Sequence, residues 1–263
     1  MYRIIAILLV CLSSNALFGQ RDFYIPKVPI TPFHNQPKQL KVSFGFDRGV
    51  CSDISYSLNN LFTIYTSGSY DFLKIRRSQF LGDDYYIKKN DISISSGITY
   101  RCKILKYSIE YIAGAGYTRV DNHEYPVSDE DYDEYTKSNY LSTFIQFNIS
   151  KKVERLEHGV ALRVSISKYL KLIYLDVMYG DEILYKFQNF NLVCFEPAFF
   201  VSGELFKDFF VNAQLGFSMP LNGLELNALI FRNDNNKPST FTSDNVEQLI
   251  PFAKISFQFN FSF

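Results

Sequence analysis

The chain contains no tryptophan, 3 histidines and 4 cysteines in 263 residues. That leaves little material for a metal centre or a cysteine-histidine catalytic pair. Cys11 falls in a leader described below, and Cys51, Cys102 and Cys194 remain. An odd count without CxxC spacing argues against a disulfide framework or a zinc site and leaves three isolated thiols. Charge of one sign is missing as well, because Lys+Arg and Asp+Glu both number 27. Without a net positive charge there is no electrostatic case for nucleic acid as a partner. No stretch approaches the roughly 20 consecutive apolar residues that a membrane-spanning helix needs. No Gly-x-Ser-x-Gly, phosphate loop, dinucleotide fingerprint or zinc pattern appears, so no cofactor is expected.

Aromatic residues are plentiful, with Phe 26 and Tyr 19. The first residues read as a secretory leader: Met1-Tyr2-Arg3 is basic, Ile4 to Leu12 is apolar, and Ser13 to Gly19 is rich in small residues. Cleavage is expected after Gly19. The plain alternative is a tail followed by a buried strand. A lipoprotein site at Cys11 is disfavoured by the bulky Val10 before it. The expected organisation is thus a leader over 1–19, a proline-rich lead-in over 20–39, and one domain over 40–263. Pro26, Pro29, Pro32 and Pro37 make the lead-in unsuitable for a helix or a central strand. It is expected to be extended on the periplasmic side, with the mouth of the domain as a second possible resting place.

The last residues, Phe252 to Phe263, alternate strictly. Successive strand side chains point to opposite faces, so Ala253, Ile255, Phe257, Phe259, Phe261 and Phe263 share one face, and Lys254, Ser256, Gln258, Asn260 and Ser262 share the other. The same period recurs along the chain. It predicts strands near 40–47, 51–58, 62–72, 91–100, 104–118, 140–150, 158–167, 191–204, 208–218 and 252–263. The intervening segments 74–90, 119–139 and 219–249 read as long polar loops. Residues 168–190 read as a projecting hairpin, with two further wall strands as the alternative. Arg101-Cys102-Lys103 and Leu205-Phe206-Lys207 read as short links.

Alternation alone is compatible with a soluble sandwich or a lipid-facing barrel. The polar face decides between them. It carries mainly Ser, Gly, Thr, Asn and Gln instead of the Lys, Glu and Arg of a solvated sheet, which suits a crowded, hydrogen-bonded lumen. The fold class expected is an all-β, antiparallel transmembrane β-barrel of about ten strands, with about eight or about twelve as alternatives, and long extracellular loops. Glu110, Arg163, Glu196 and Lys254 fall on the lumen face with mixed sign and are expected to form a polar network, because an unpaired charge in a confined interior is costly. A barrel filled in this way is expected to be largely closed.

The terminal strand resembles the C-terminal strand of bacterial outer-membrane barrels. That resemblance implies that Phe259, Phe261 and Phe263 serve as the signal read by the barrel-assembly machinery, and that outer-membrane lipids surround the wall. Tyr24-Ile25-Pro26 and Pro32-Phe33 are similar to the start of a family of small, porin-like outer-membrane barrels common in the Bacteroidota, although the usual asparagines are missing. The architecture also resembles omptin-type outer-membrane proteases, with Asp83-Asp84 and Asp121-x-His123 as counterparts of their aspartate and Asp-His pairs. Solvated loop residues are the simpler account of these four. Asp129, Asp131 and Asp133 offer oxygen ligands in the manner of a weak calcium site, but they lack the glycine and distant glutamate of an EF-hand. His34 and His158 have no partner by spacing. The function expected is a non-enzymatic barrel with a structural or surface-interaction role, with a narrow solute channel as the rival.

Overall fold

Residues of alternating polarity, rich in β-branched and aromatic types, are driven into strands because only a pleated sheet can sort their two faces. A computed structural model describes residues 24–25, 28–31, 34, 36–72, 74–77, 84–127, 134–178, 181–187, 189–222, 225–232, 235–242 and 250–263. In chain order the strands are β1 (Gln39–Phe46), β2 (Val50–Ser57), β3 (Phe62–Asp71), β4 (Lys74–Arg77), β5 (Tyr85–Lys89), β6 (Asp91–Ile104), β7 (Tyr107–Pro126), β8 (Glu134–Val153), β9 (Leu156–Met178), β10 (Asp181–Phe187), β11 (Phe190–Phe206), β12 (Phe209–Pro220), β13 (Glu225–Arg232), β14 (Asn235–Thr242) and β15 (Ile250–Ser262).

A closed antiparallel wall of 10 strands runs β1-β2-β3-β6-β7-β8-β9-β11-β12-β15. Closure is made where β15 returns to β1, from Gln39 opposite Ser262 to Phe46 opposite Ile255. The other strands extend the wall at one end. There β5 continues the edge of β6 along the far half of β7, β4 pairs with β5, β10 pairs with the far half of β9, and β13 and β14 continue from β10. This is the loop end. The opposite, turn end holds both Gln39 and Ser262 and the tight connections β2–β3, β6–β7, β8–β9 and β11–β12. Leu105, Glu154 and Asp208, in three of those connections, have φ of 56°, 53° and 64°. Two-residue hairpins require this left-handed backbone, and here it is adopted without glycine.

The wall is sorted by polarity in the sense expected. On β15, Ser256, Gln258 and Asn260 are buried in the lumen, whereas Phe257, Phe259 and Phe261 are more than two-fifths exposed on the outside. On β8, Ser142, Gln146 and Asn148 point inward and Leu141 and Ile145 outward. Large lumen side chains find room over glycines. A Cβ on Gly114 would stand 2.3 Å from the Tyr65 hydroxyl and 2.6 Å from the Phe144 Cζ, so the tips of both rings occupy the space a side chain would fill.

Several strand limits differ from the sequence reading. Arg101-Cys102-Lys103 is the end of β6, not a link, and the turn is Leu105-Lys106. The alternation simply continues, with Thr99 and Arg101 both buried in the lumen. The described residues of the segments read as loops are largely strand: β7 and β8 run on into 119–139 beyond the apolar band and remain hydrogen-bonded, β4 and β5 fall within 74–90, and β13 and β14 within 219–249. Residues 168–190 form the projecting hairpin of β9 and β10, not two further wall strands. The leader, residues 1–19, lies outside the described residues.

Gly114→Val is expected to lower the stability of the folded barrel by about 1–3 kcal/mol, the usual cost of overpacking. Ala115→Val, on the outward face of the same strand, should change it little. Urea unfolding in detergent micelles measures both.

Candidate functional site: an occupied lumen

The described residues of the proline-rich lead-in, Tyr24, Ile25, 28–31 and His34, lie against the inner face of the barrel. Prolines lack an N–H and keep this segment out of the sheet, so its backbone must find partners among lumen side chains. Close to the loop end, the Tyr24 hydroxyl donates to Glu196 Oε1 at 2.6 Å and lies 3.3 Å from Ser165 Oγ. The Ile25 N–H donates to the Tyr140 hydroxyl at 3.1 Å. Midway, Arg163 Nη2 donates to the Val28 carbonyl at 3.3 Å. Gln146 grips Ile30 from both sides: its Oε1 accepts from the Ile30 N–H at 3.3 Å and its Nε2 donates to the Ile30 carbonyl at 2.7 Å. Asn148 Nδ2 donates to the same carbonyl at 3.0 Å. Gln214 Nε2 donates to Thr31 Oγ1 at 3.0 Å, and near the turn end His34 Nε2 is 2.9 Å from Ser55 Oγ. The two amides of Gln146 and Asn148 thus do for Ile30 what a neighbouring strand would do.

Apolar packing reinforces these bonds. Tyr24 and Ile25 join a buried cluster at the loop end with Tyr140, Tyr169, Leu172 and Cys194. The Tyr140 and Tyr169 rings are 4.8 Å apart, and Phe190 stacks on Tyr169 at 4.3 Å. Val28 packs against Phe200 and Phe252, and Ile30 against Tyr65, Ile112 and Phe144. Two lumen spaces beside Thr31 have volumes of about 20 Å³ and about 30 Å³. Each is room for a water, not for a solute.

Glu110, Arg163, Glu196 and Lys254 are all buried on the lumen side. Glu196 and Arg163 face one another across β11 and β9, and Gln146 faces Arg163 across β8 and β9. Arg163 Nε and Nη2 donate to Gln146 Oε1 at 2.9 Å and 2.7 Å, and its guanidinium lies 4.3 Å over the Phe144 ring. Glu110 accepts from Asn148 Nδ2 at 3.2 Å. One connected network, Glu110–Asn148–Gln146–Arg163, therefore holds the lead-in by Ile30 and Val28, and Glu196 holds it by Tyr24. Lys254 belongs to a separate group. It forms a salt bridge with Asp53, which also accepts from Ser43 at 2.9 Å and Ser67 at 2.6 Å.

The sequence reading omitted Asp53, Lys41, Arg101 and His34 from the lumen, and it gave Tyr24 no role there. Lys41 and Asp53 were accessible to it, since period two puts Lys41 on the same face as Ser43 and Asp53 on the same face as Ser55. The position of Tyr24 and His34 depends on how an irregular segment folds back, which no periodicity encodes.

Of the described candidate protease residues, Asp121 and His123 come together and Asp84 does not join them. Asp121 Oδ1 and His123 Nε2 are 3.2 Å apart, but Arg119 and Lys137 also approach that carboxylate, each at 3.7 Å. Asp84 is bound to Arg76 at 2.6 Å, and its carbonyl meets the N–H of Val127. At about 3.3 Å per residue this places Asp84 about 20 Å along β7 from Asp121. Asp83 and the acidic residues Asp129, Asp131 and Asp133 lie outside the described residues. Among the described residues no group of His, Cys, Asp and Glu is arranged to hold a metal ion.

Neither a protein-family model nor a curated protein matches the sequence. Solved structures do match. The outer membrane protease OmpT from Escherichia coli superimposes with a TM-score of 0.53 at 11% identity, over 86% of this chain and 94% of that one. The fold is that of an outer-membrane β-barrel. CarO of Acinetobacter baumannii is similar at a TM-score of 0.33 and 13% identity, over 87% of this chain and 100% of that one. The translocator domain of autotransporter NalP from Neisseria meningitidis is similar at 0.43 and 11%, over 85% of this chain and 86% of that one. At such identities the likeness to OmpT is one of fold alone.

Asp53→Ala leaves Lys254 buried beside an empty position and is expected to cost about 3 kcal/mol of stability, because an uncompensated buried charge is far costlier than a lost pair. The double variant Asp53→Ala/Lys254→Met should recover most of that loss. Denaturant midpoints of the variants in micelles test the coupling.

Proposed function

We propose that this chain is a non-enzymatic barrel of the bacterial outer membrane, its loop end outside, whose own N-terminal segment keeps the lumen shut while its outer surface makes the contacts that matter. The observation that carries this reading is the double hold of Gln146 on the Ile30 backbone, supported by Asn148, in the middle of the lumen. A passage meant to carry solutes would not spend its central polar side chains on a segment of its own chain. The apolar outside and polar inside support a lipid surrounding, since only closed barrels and helices satisfy every backbone group in hydrocarbon. Tyr24, one of the residues that resemble the start of the Bacteroidota barrels, is here a lumen anchor.

The rival, a narrow channel, requires the lead-in to leave. Its fastening consists of a handful of hydrogen bonds, two of them to the charged side chains of Glu196 and Arg163, and a few apolar contacts, which makes release a measurable event. The assembly role proposed for Phe259, Phe261 and Phe263 draws support from the last of these, whose side chain stands four-fifths exposed at the turn end and contributes little packing.

In planar bilayers the full chain is expected to show no stable conductance. Gln146→Ala/Asn148→Ala, which unfastens Ile30, should produce intermittent openings; steady conductance steps from the unaltered chain would overturn the closed-lumen reading. Removal of Phe263 should leave refolding in detergent unchanged while reducing the amount of barrel inserted in cells several-fold, read by heat-modifiable gel migration.

A further inference from the structure

On the outside of the wall, just past the apolar band at the loop end, β7, β8 and β9 present a row of cations. Arg119 is exposed between the buried Thr118 and Val120, Lys137 between Thr136 and Ser138, and Lys168 between Ser167 and Tyr169. Lys171, exposed beside the buried Leu172, shares that outward face. Strand register brings them together: Arg119 is opposite Asn139, Asn139 is opposite Lys171, and Leu141 is opposite Lys168. With strands about 4.8 Å apart, the Arg119 and Lys171 backbones are about 10 Å apart, within joint reach of one anion for side chains of this length. Among the described residues, Asp121 on this face is shared between Arg119 and Lys137 at 3.7 Å each. It offsets only part of the positive charge.

The surface directly below is apolar. Tyr117, Leu141 and Ile166 are exposed on the same face, one step toward the turn end, and Leu170 is exposed between the two lysines. A soluble anion would gain nothing from that continuity. An amphiphile whose anionic groups sit at the edge of the hydrocarbon gains from both parts, because cations near the interface attract anionic headgroups while acyl chains cover the belt. We propose that Arg119, Lys137, Lys168 and Lys171 form a seat for the phosphate groups of a phosphorylated glycolipid of the outer leaflet, its acyl chains lying against Tyr117, Leu141 and Ile166. The assignment of leaflet rests on the loop end facing outward. The seat itself does not.

The test uses the full chain in phosphatidylcholine nanodiscs with or without diphosphorylated lipid A, which such discs offer on both faces. Lipid retained after release into detergent is counted by native mass spectrometry. Lys168→Gln/Lys171→Gln should retain on the order of tenfold less lipid A than the unaltered chain. Lys103→Gln/Lys106→Gln, at the turn end, should retain as much as the unaltered chain, and gel migration confirms that each variant is folded. Equal retention by the two double variants, or release of the lipid by millimolar inorganic phosphate, would overturn the proposal. Labelling of Lys106→Cys by an impermeant maleimide on intact cells reads orientation separately. Absence of labelling is expected; labelling would overturn the outward loop end, and with it the choice of leaflet, even where nanodisc binding survives.

Discussion

Everything in this structure depends on the seam between β1 and β15. A strand ladder has two edges, each a row of N–H and C=O groups that water must satisfy, and hydrocarbon offers no such partner. Pairing Gln39–Phe46 with Ile255–Ser262 removes both edges at once. It also forces every wall strand to have an inside and an outside, and so turns a two-residue sequence period into a radial sorting of chemistry. The phenylalanines that alternate along the last strand acquire a common direction only because that strand meets the first.

Closure creates a second problem, which the lead-in solves. A lumen lined by Ser, Thr, Asn and Gln needs hydrogen-bond partners, and isolated waters in small cavities supply only some of them. The proline-rich segment has the complementary need, carbonyls and a few N–H groups with no strand beside them. Gln146 and Asn148 meet both needs at Ile30. The charges follow the same logic. Arg163 lies between Gln146 and Glu196 across adjacent strands, and Lys254 forms a salt bridge with Asp53, so burial is compensated locally. Arg163 and Glu196 thus act as fasteners for a segment, whereas Lys254 and Asp53 neutralise one another in the wall.

The outer surface is sorted by a different boundary, the height at which its apolar belt ends. Above Tyr117, Leu141 and Ile166 the outward positions take in the cations Arg119, Lys137, Lys168 and Lys171, while the inward positions of the same strands continue as aromatic packing around Tyr140 and Tyr169. Two faces of one strand therefore obey unrelated rules over the same few residues. This is why the segment read as a polar loop from residue 119 is in fact strand: its charges mark the edge of the apolar belt and not the end of hydrogen bonding.

Much of the fold was legible in the residues alone. Period two specified the wall strands and the face of each side chain, because a strand's geometry allows no other sorting, and the scarcity of charge on the polar face pointed to an enclosed lumen. The inward placement of Glu110, Arg163, Glu196 and Lys254 follows from the same parity. Parity is silent about what those groups touch. That Asp53 neutralises Lys254 from strands about 200 residues apart in sequence, that Tyr24 reaches Glu196, and that a proline-rich segment fills the space between them were decided by closure of the ring. The local chain encodes which way a side chain points, and only the assembled wall determines what it finds there.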